Sequence, residues 1–203
     1  SPSSGFRLRA LASLTPAKRL NLKVETGNWK LWSMDATHNS MSALPPGSPA
    51  PDFNLPLTSG GEFRLKQALI KGPVVLAFFK ISCPVCQYSF PFYDRLARLL
   101  EPIGVTVVGI SQDDEQNTAT FRRTLGLSLP IALDANDYAV SRAYRLTNVP
   151  TVFEISPEGQ IVACVVGWSK SEIEAIHARH MKPEAKAEPL FHPNEQVAEF
   201  RPG

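Results

Sequence analysis

Two thiols define the chemistry open to this chain. Cys83 and Cys86 stand three residues apart in Cys83-Pro84-Val85-Cys86. On the first turn of a helix that spacing brings both sulfurs to one face, which suits reversible cycling between a dithiol and a disulfide. Only a thiolate attacks a disulfide, and a thiol of ordinary pKa is mostly protonated near neutrality. A helix N-terminus shifts that balance, because its unpaired N–H groups and the macrodipole favour a negative sulfur. Cys83 is expected at the cap, and Pro84 at the first helical position, where a missing N–H costs nothing. Cys83 is then the attacking thiol, forming a mixed disulfide with substrate. Cys86, one turn inward and more buried, attacks Cys83 to release it. The reverse direction oxidises a dithiol.

The elements around the pair are readable from apolar periodicity. Val74 to Phe79 is a continuous apolar run, as expected of a strand buried on both faces. Phe90, Tyr93, Leu96, Ala97 and Leu100 recur at helical spacing and predict a helix from Pro84 to about Glu101. Val105 to Ile110 is a second buried strand. Asp113 or Asp114 caps a helix to about Leu125, with Gly126 as its stop. A short strand over Leu129–Leu133 and a short helix over Asp137–Tyr144 follow. Thr151–Ile155 and Gln160–Val166 form a hairpin about Pro157-Glu158-Gly159, and a last helix runs from Ser169 to His180, with Ser169 and Glu172 spaced as a capping box. Upstream, Phe53–Leu57 and Glu62–Leu65 form a short hairpin about Ser59-Gly60-Gly61. This order predicts an α/β fold with a mixed central sheet flanked by helices.

Several segments together resemble a known family. Phe78-Phe79-Lys80-Ile81-Ser82-Cys83-Pro84-Val85-Cys86 is similar to the active-site strand and helix start of thioredoxin-fold redoxins. Asn148-Val149-Pro150-Thr151-Val152-Phe153 resembles their proline loop. With Pro51-Asp52-Phe53-Asn54-Leu55, Val107-Val108-Gly109-Ile110-Ser111 and Ser156-Pro157-Glu158-Gly159-Gln160-Ile161-Val162, the likeness covers about residues 49–170. It is to the alkyl hydroperoxide reductase/thiol-specific antioxidant superfamily, on its TlpA-like thiol-disulfide oxidoreductase side. The resemblance implies a thioredoxin-like fold with an N-terminal β-hairpin extension and a redox-active disulfide. It also implies a cis Val149–Pro150 bond facing the dithiol, and a Val149 backbone that binds an extended substrate segment. No cofactor is expected.

Two departures from that pattern concern chemistry. Ser82 stands where thioredoxin-like enzymes often carry Trp, and Ala77 where many thioredoxins have a buried acid that moves the second thiol's proton. A rival alignment, slipped by one residue, compares Ser82–Cys86 with the peroxiredoxin Thr-Pro-Val-Cys site. It makes the protein a peroxide reductase with Cys86, or Cys83, peroxidatic. The segment Val149–Phe153 lacks the arginine that peroxiredoxins place beside their thiolate. A zinc set of Cys83, Cys86, His177 and His180 is the third reading; the histidines are instead expected on the surface of the last helix. Cys164, on an apolar strand, is expected to be a small, buried, inert thiol.

Composition narrows the remaining possibilities. At 203 residues, 43% hydrophobic and 20% charged, with net charge +2, the chain is of ordinary globular make-up and has no bias toward nucleic acid. No apolar run is long enough to span a membrane. Residues 1–48 hold six Lys/Arg against two acids and end in the Pro-rich stretch Ala43–Pro51; they are expected to be a poorly ordered basic extension and linker. Met41 is a candidate natural start, and Trp29 and Trp32 have no assigned role. Residues 49–181 form the redoxin domain, and residues 182–203, with four prolines, an irregular tail. Leu8–Leu14 is too short and broken for a secretory signal, so a cytoplasmic location is the expectation, although TlpA-like relatives are commonly exported. The expected partners are protein or low-molecular-weight thiols and disulfides and an electron donor.

Overall fold

A computed structural model describes residues 42–181 and 188–203. The expectations for Trp29, Trp32, Met41 and the rest of residues 1–41 lie outside the described residues. Five strands form the central sheet: β3 (Val74–Phe79), β4 (Thr106–Ser111), β5 (Ile131–Leu133), β6 (Thr151–Ile155) and β7 (Ile161–Val166), in the order β5-β4-β3-β6-β7. β3 runs parallel to β4, and β4 to β5; β6 is antiparallel to both β3 and β7. β3 is therefore central and buried at every residue, as its unbroken apolar sequence requires. Upstream, β1 (Asn54–Pro56) and β2 (Glu62–Arg64) make the expected antiparallel hairpin, followed by the short helix α1 (Leu65–Leu69).

The pleat of β3 sends alternate side chains into two cores. Val75, Ala77 and Phe79 meet α2 (Pro84–Leu100) and α5 (Lys170–His180) through Phe90, Tyr93, Leu96, Ile173 and Ile176. Val74, Leu76 and Phe78 meet Leu65, Leu69, Val140 and Tyr144 on the other face, where α4 (Ala139–Ala143) lies. The helix α3 (Glu115–Leu125) packs Phe121 on Phe79, ring centroids 5.2 Å apart. Asp114 caps α3 by accepting from the Asn117 N–H at 2.8 Å, and Gly126 closes it in the left-handed conformation. The capping box expected at Ser169 and Glu172 is not formed. Ser169 makes no side-chain cap, and the Lys170 N–H donates instead to the Glu199 carbonyl.

Both flanking segments are more ordered than their composition implies. Within the Pro-rich stretch, Gly47 N–H donates to the Ile161 carbonyl and Ile161 N–H to that of Ser48, so this stretch is stitched to β7 rather than loose. The expected irregular tail also needs correction. Leu190 and Phe191 are buried, Phe191 lying 5.9 Å from the ring of Trp168. Arg95 of α2 grips Glu195 with two bonds of 2.6 and 3.0 Å. A strand β9 (Phe200–Arg201) pairs with β8 (Trp168–Ser169). Four prolines hide these contacts from any periodicity reading, because each is made by only one or two residues.

α2 is tied to the sheet by one buried carboxylate. Asp94 Oδ1 accepts from Ser128 N–H (2.6 Å), Ser128 Oγ (2.9 Å) and Leu129 N–H (2.8 Å) just before β5. Asp94→Ala strands two backbone donors, so urea unfolding should show a loss of about 2–4 kcal/mol. A loss below about 0.5 kcal/mol would mean that these bonds add nothing to the seating of α2.

Candidate active site

β3 ends at Phe79, the chain turns through Lys80–Ser82, and Cys83 becomes the N-cap of α2 with Pro84 at the first helical position. The turn is clamped from two sides. Ile81 N–H donates to Asp113 Oδ2 at 2.7 Å, and Gln87 Nε2 donates to the Ile81 carbonyl at 2.8 Å. Of the two adjacent acids offered as caps for α3, Asp114 takes the cap and Asp113 faces the thiol loop. The pairing of two acids with one cap position was the available signal that one of them has another task.

Cys83 Sγ accepts from the Cys86 N–H at 3.3 Å and lies 3.3 Å from the Val149 carbonyl, to which the thiol donates. The Val149–Pro150 bond is cis. The four residues singled out in the sequence, Cys83, Cys86, Val149 and Pro150, thus meet at one point. Both cysteines are free thiols; Cys83 is half-buried and Cys86 has no exposed surface. Burial foremost, then the hydrogen bond and charge of Cys83 and the charge of Asp113, push the Cys86 thiol far up. Below the pair, Tyr93 is fully buried with its hydroxyl unpartnered, the Ser89 hydroxyl turning instead to the Cys86 carbonyl at 3.3 Å. A shallow groove of about 530 Å³ opens on the α3 side of the loop, lined by Ile81, Ser82, Gln87, Phe121 and Leu125 among others.

The remaining candidates lie elsewhere. Cys164 is half-buried rather than buried, on the β7 face turned toward the Leu76–Phe153 core; burial and Glu172 push its thiol up to about 11. His177 and His180 are not surface residues as expected. His177 is 7% exposed, and His180 Nε2 sits 2.9 Å from Glu154 Oε1, although not aligned as a hydrogen bond. His180 turns toward Glu154, buried on β6, which also holds Arg179 at 2.9 Å, whereas His177 follows Ile173 by one turn and shares its buried face. Among the described residues no group of three or more His, Cys, Asp or Glu is placed to hold a metal ion. Also among them, no helix is long and apolar enough to cross a membrane.

A mixed five-stranded sheet, a helix begun by a capping cysteine and a cis-proline loop against that cysteine define a thioredoxin-fold redoxin. Comparison with known proteins agrees. The chain belongs to the AhpC/TSA family, whose sequence pattern matches residues 46–164. It is similar to the thiol-disulfide oxidoreductase ResA of Bacillus subtilis (strain 168), 31% identical over 150 residues, which are 73% of this chain and 83% of that one. Among solved structures, a putative thiol:disulfide interchange protein DsbE from Chlorobium tepidum superposes with a TM-score of 0.61 at 26% identity, covering 68% of this chain and 96% of the other. The peroxidoxin BcpB from Mycobacterium tuberculosis gives 0.58 at 23% identity, covering 68% and 96%, a likeness of fold alone.

The raised Cys86 pKa makes a signed prediction. On unfolding, Cys86 returns to its ordinary value near about 8.5. Its contribution to stability is complete below that pH and is lost as pH rises above it, where only the unfolded chain ionises. Reduced wild-type protein should lose about 1 kcal/mol more than Cys86→Ser between pH about 8 and about 9.5 in urea titrations, the other titrating groups being common to both. Parallel curves would show that Cys86 ionises as easily folded as unfolded.

Proposed function

We propose that the protein is a thiol-disulfide oxidoreductase working through Cys83 and Cys86. The observation that carries this reading is the asymmetry of the pair: a half-exposed sulfur at a helix N-cap above a fully buried one. The Cys83 thiolate attacks a substrate disulfide, forming a mixed disulfide and expelling one substrate thiolate. The Cys86 sulfur, having given up its proton, then attacks Cys83, forming the Cys83–Cys86 disulfide and releasing the second substrate thiol. Two electrons pass to the substrate, and a thiol donor returns them by the same exchange in reverse. The Val149 backbone beside Pro150 is the dock for the substrate's extended chain, because its carbonyl already lies within reach of Cys83.

Peroxide reduction fits less well. A peroxidatic sulfur must be a reachable thiolate, whereas Cys86 is enclosed and its thiol is pushed up. Residues 149–153 also supply no cation to polarise a peroxide.

Insulin-disulfide reduction with a thiol donor is the direct assay. Cys83→Ser should abolish turnover. Cys86→Ser should stop after one stoichiometric mixed disulfide, visible by mass spectrometry as an adduct on Cys83. Turnover of hydrogen peroxide that outpaces insulin reduction, or turnover that survives Cys83→Ser, would overturn the assignment.

A further inference from the structure

Residues 188–203 divide into two parts by how they are held. Leu190 to Ala198 is built into the domain: Leu190 and Phe191 are buried, Glu195 is gripped by Arg95, and Ala198 is held at both polar atoms. Its carbonyl accepts from Trp168 Nε1 at 2.6 Å and its N–H donates to Tyr88 Oη at 2.8 Å. Glu199 to Gly203 is exposed at every residue. It is held mainly by its backbone, through β8–β9 pairing and a 3.0 Å bond from Asn148 Nδ2 to the Gly203 carbonyl. Side chains add two contacts: Arg201 lies 3.8 Å over the Tyr88 ring, and Lys170 Nζ donates to Glu199 Oε1 at 3.2 Å.

This exposed end runs directly to the dithiol site. A β-carbon on Gly203 would stand 3.0 Å from the Val149 carbonyl oxygen and 3.2 Å from both Asn148 Cβ and Gly167 Cα. A β-carbon on Gly167, whose φ is +80°, would stand 2.7 Å from the Arg201 carbonyl and 2.9 Å from Gly203 N. Two glycines let two backbones pass with no side chain between them, so no third chain fits there. The same Val149 carbonyl accepts from Cys83. One flank of the proposed dock is therefore filled by the protein's own chain, while on the α3 side of the thiol loop the groove along Ile81, Ser82 and Phe121 stays open.

We propose that residues 199–203 are a specificity-determining strap: by filling the Gly167 flank of Val149 they admit small disulfides and single extended segments and exclude disulfides set in folded protein surfaces. The inference rests on the thiol-disulfide reading above and names its substrate class. The strap residues are themselves exposed, and the Trp168 ring packs on Tyr88, Phe92, Tyr93 and Phe191, none of them in the strap.

The test compares three proteins: the full chain, a chain ending at Ala198, and Gly203→Val, whose added side chain must push the strap from Val149 without removing any contact of the base. For each, kcat/KM is measured with insulin and with oxidised glutathione. Loss or displacement of the strap should raise the insulin value about tenfold and leave the glutathione value within about twofold. Equal changes for both substrates, or an insulin value that stays the same or falls in both variants, would overturn the strap. Failure of the wider reading looks different: all three proteins would then be inactive toward both disulfides.

Discussion

Burial of β3 on both faces decides where the two sulfurs lie. Six consecutive apolar side chains lock the strand between two cores and between β4 and β6, so its end has no freedom to shift. α2 must begin after only four intervening residues, Lys80 to Cys83, because Phe90, Tyr93 and Leu96 have to meet the Ala77 and Phe79 face. The Phe79 and Phe90 rings, 4.1 Å apart at their centroids, fix that meeting closely. The first turn of α2 is thereby held over the end of the sheet, and unpaired N–H groups collect around Cys83. β6 leaves the sheet beside β3, which brings Val149 and Pro150 across from the same turn. The chemistry depends on this packing. The pair differs in burial because one sulfur caps a helix beyond the end of the central strand and the other points back into the core.

The parts of the molecule with a strong local signal were legible from sequence. β3, β6 and β7 announce themselves as apolar runs, α3 by its cap and stop, and the dithiol by its place between a strand and a helix. The resemblance to redoxins supplied the cis bond at Pro150, which a bare Val-Pro pair does not specify. What escaped depends on contacts between distant segments. Asp113 reaches Ile81 across 32 positions, and Arg95 reaches Glu195 across 100. His177 and His180 have helical-surface spacing, yet His180 turns toward the buried Glu154. Local propensity says nothing about such partners. Prolines likewise marked residues 43–51 and 182–203 as irregular, and concealed that such chain can be docked, as Leu190 to Ala198 are.

The missing acid at Ala77 sharpens how the second thiol can act. Among the described residues three acids are buried, and each is already committed: Asp94 to the amides before β5, Asp134 to the amides of Val140 and Ser141, and Glu154 to Arg179. No fully buried carboxylate is therefore free to take the Cys86 proton, and the control of that thiol falls to burial, to Cys83 and to the half-buried Asp113. Burial foremost holds Cys86 protonated, with Asp113 a lesser influence; the hydrogen bond of Cys83 and, once Cys83 is ionised, its charge add to the same effect. Both of the latter depend on the redox step. Once Cys83 is joined to a substrate sulfur it carries no charge, and that part of the penalty on the Cys86 thiolate disappears. In the proposed cycle Cys86 is thus most firmly protonated while Cys83 is a free thiolate, when attack by Cys86 has no target, and less so once the mixed disulfide has formed.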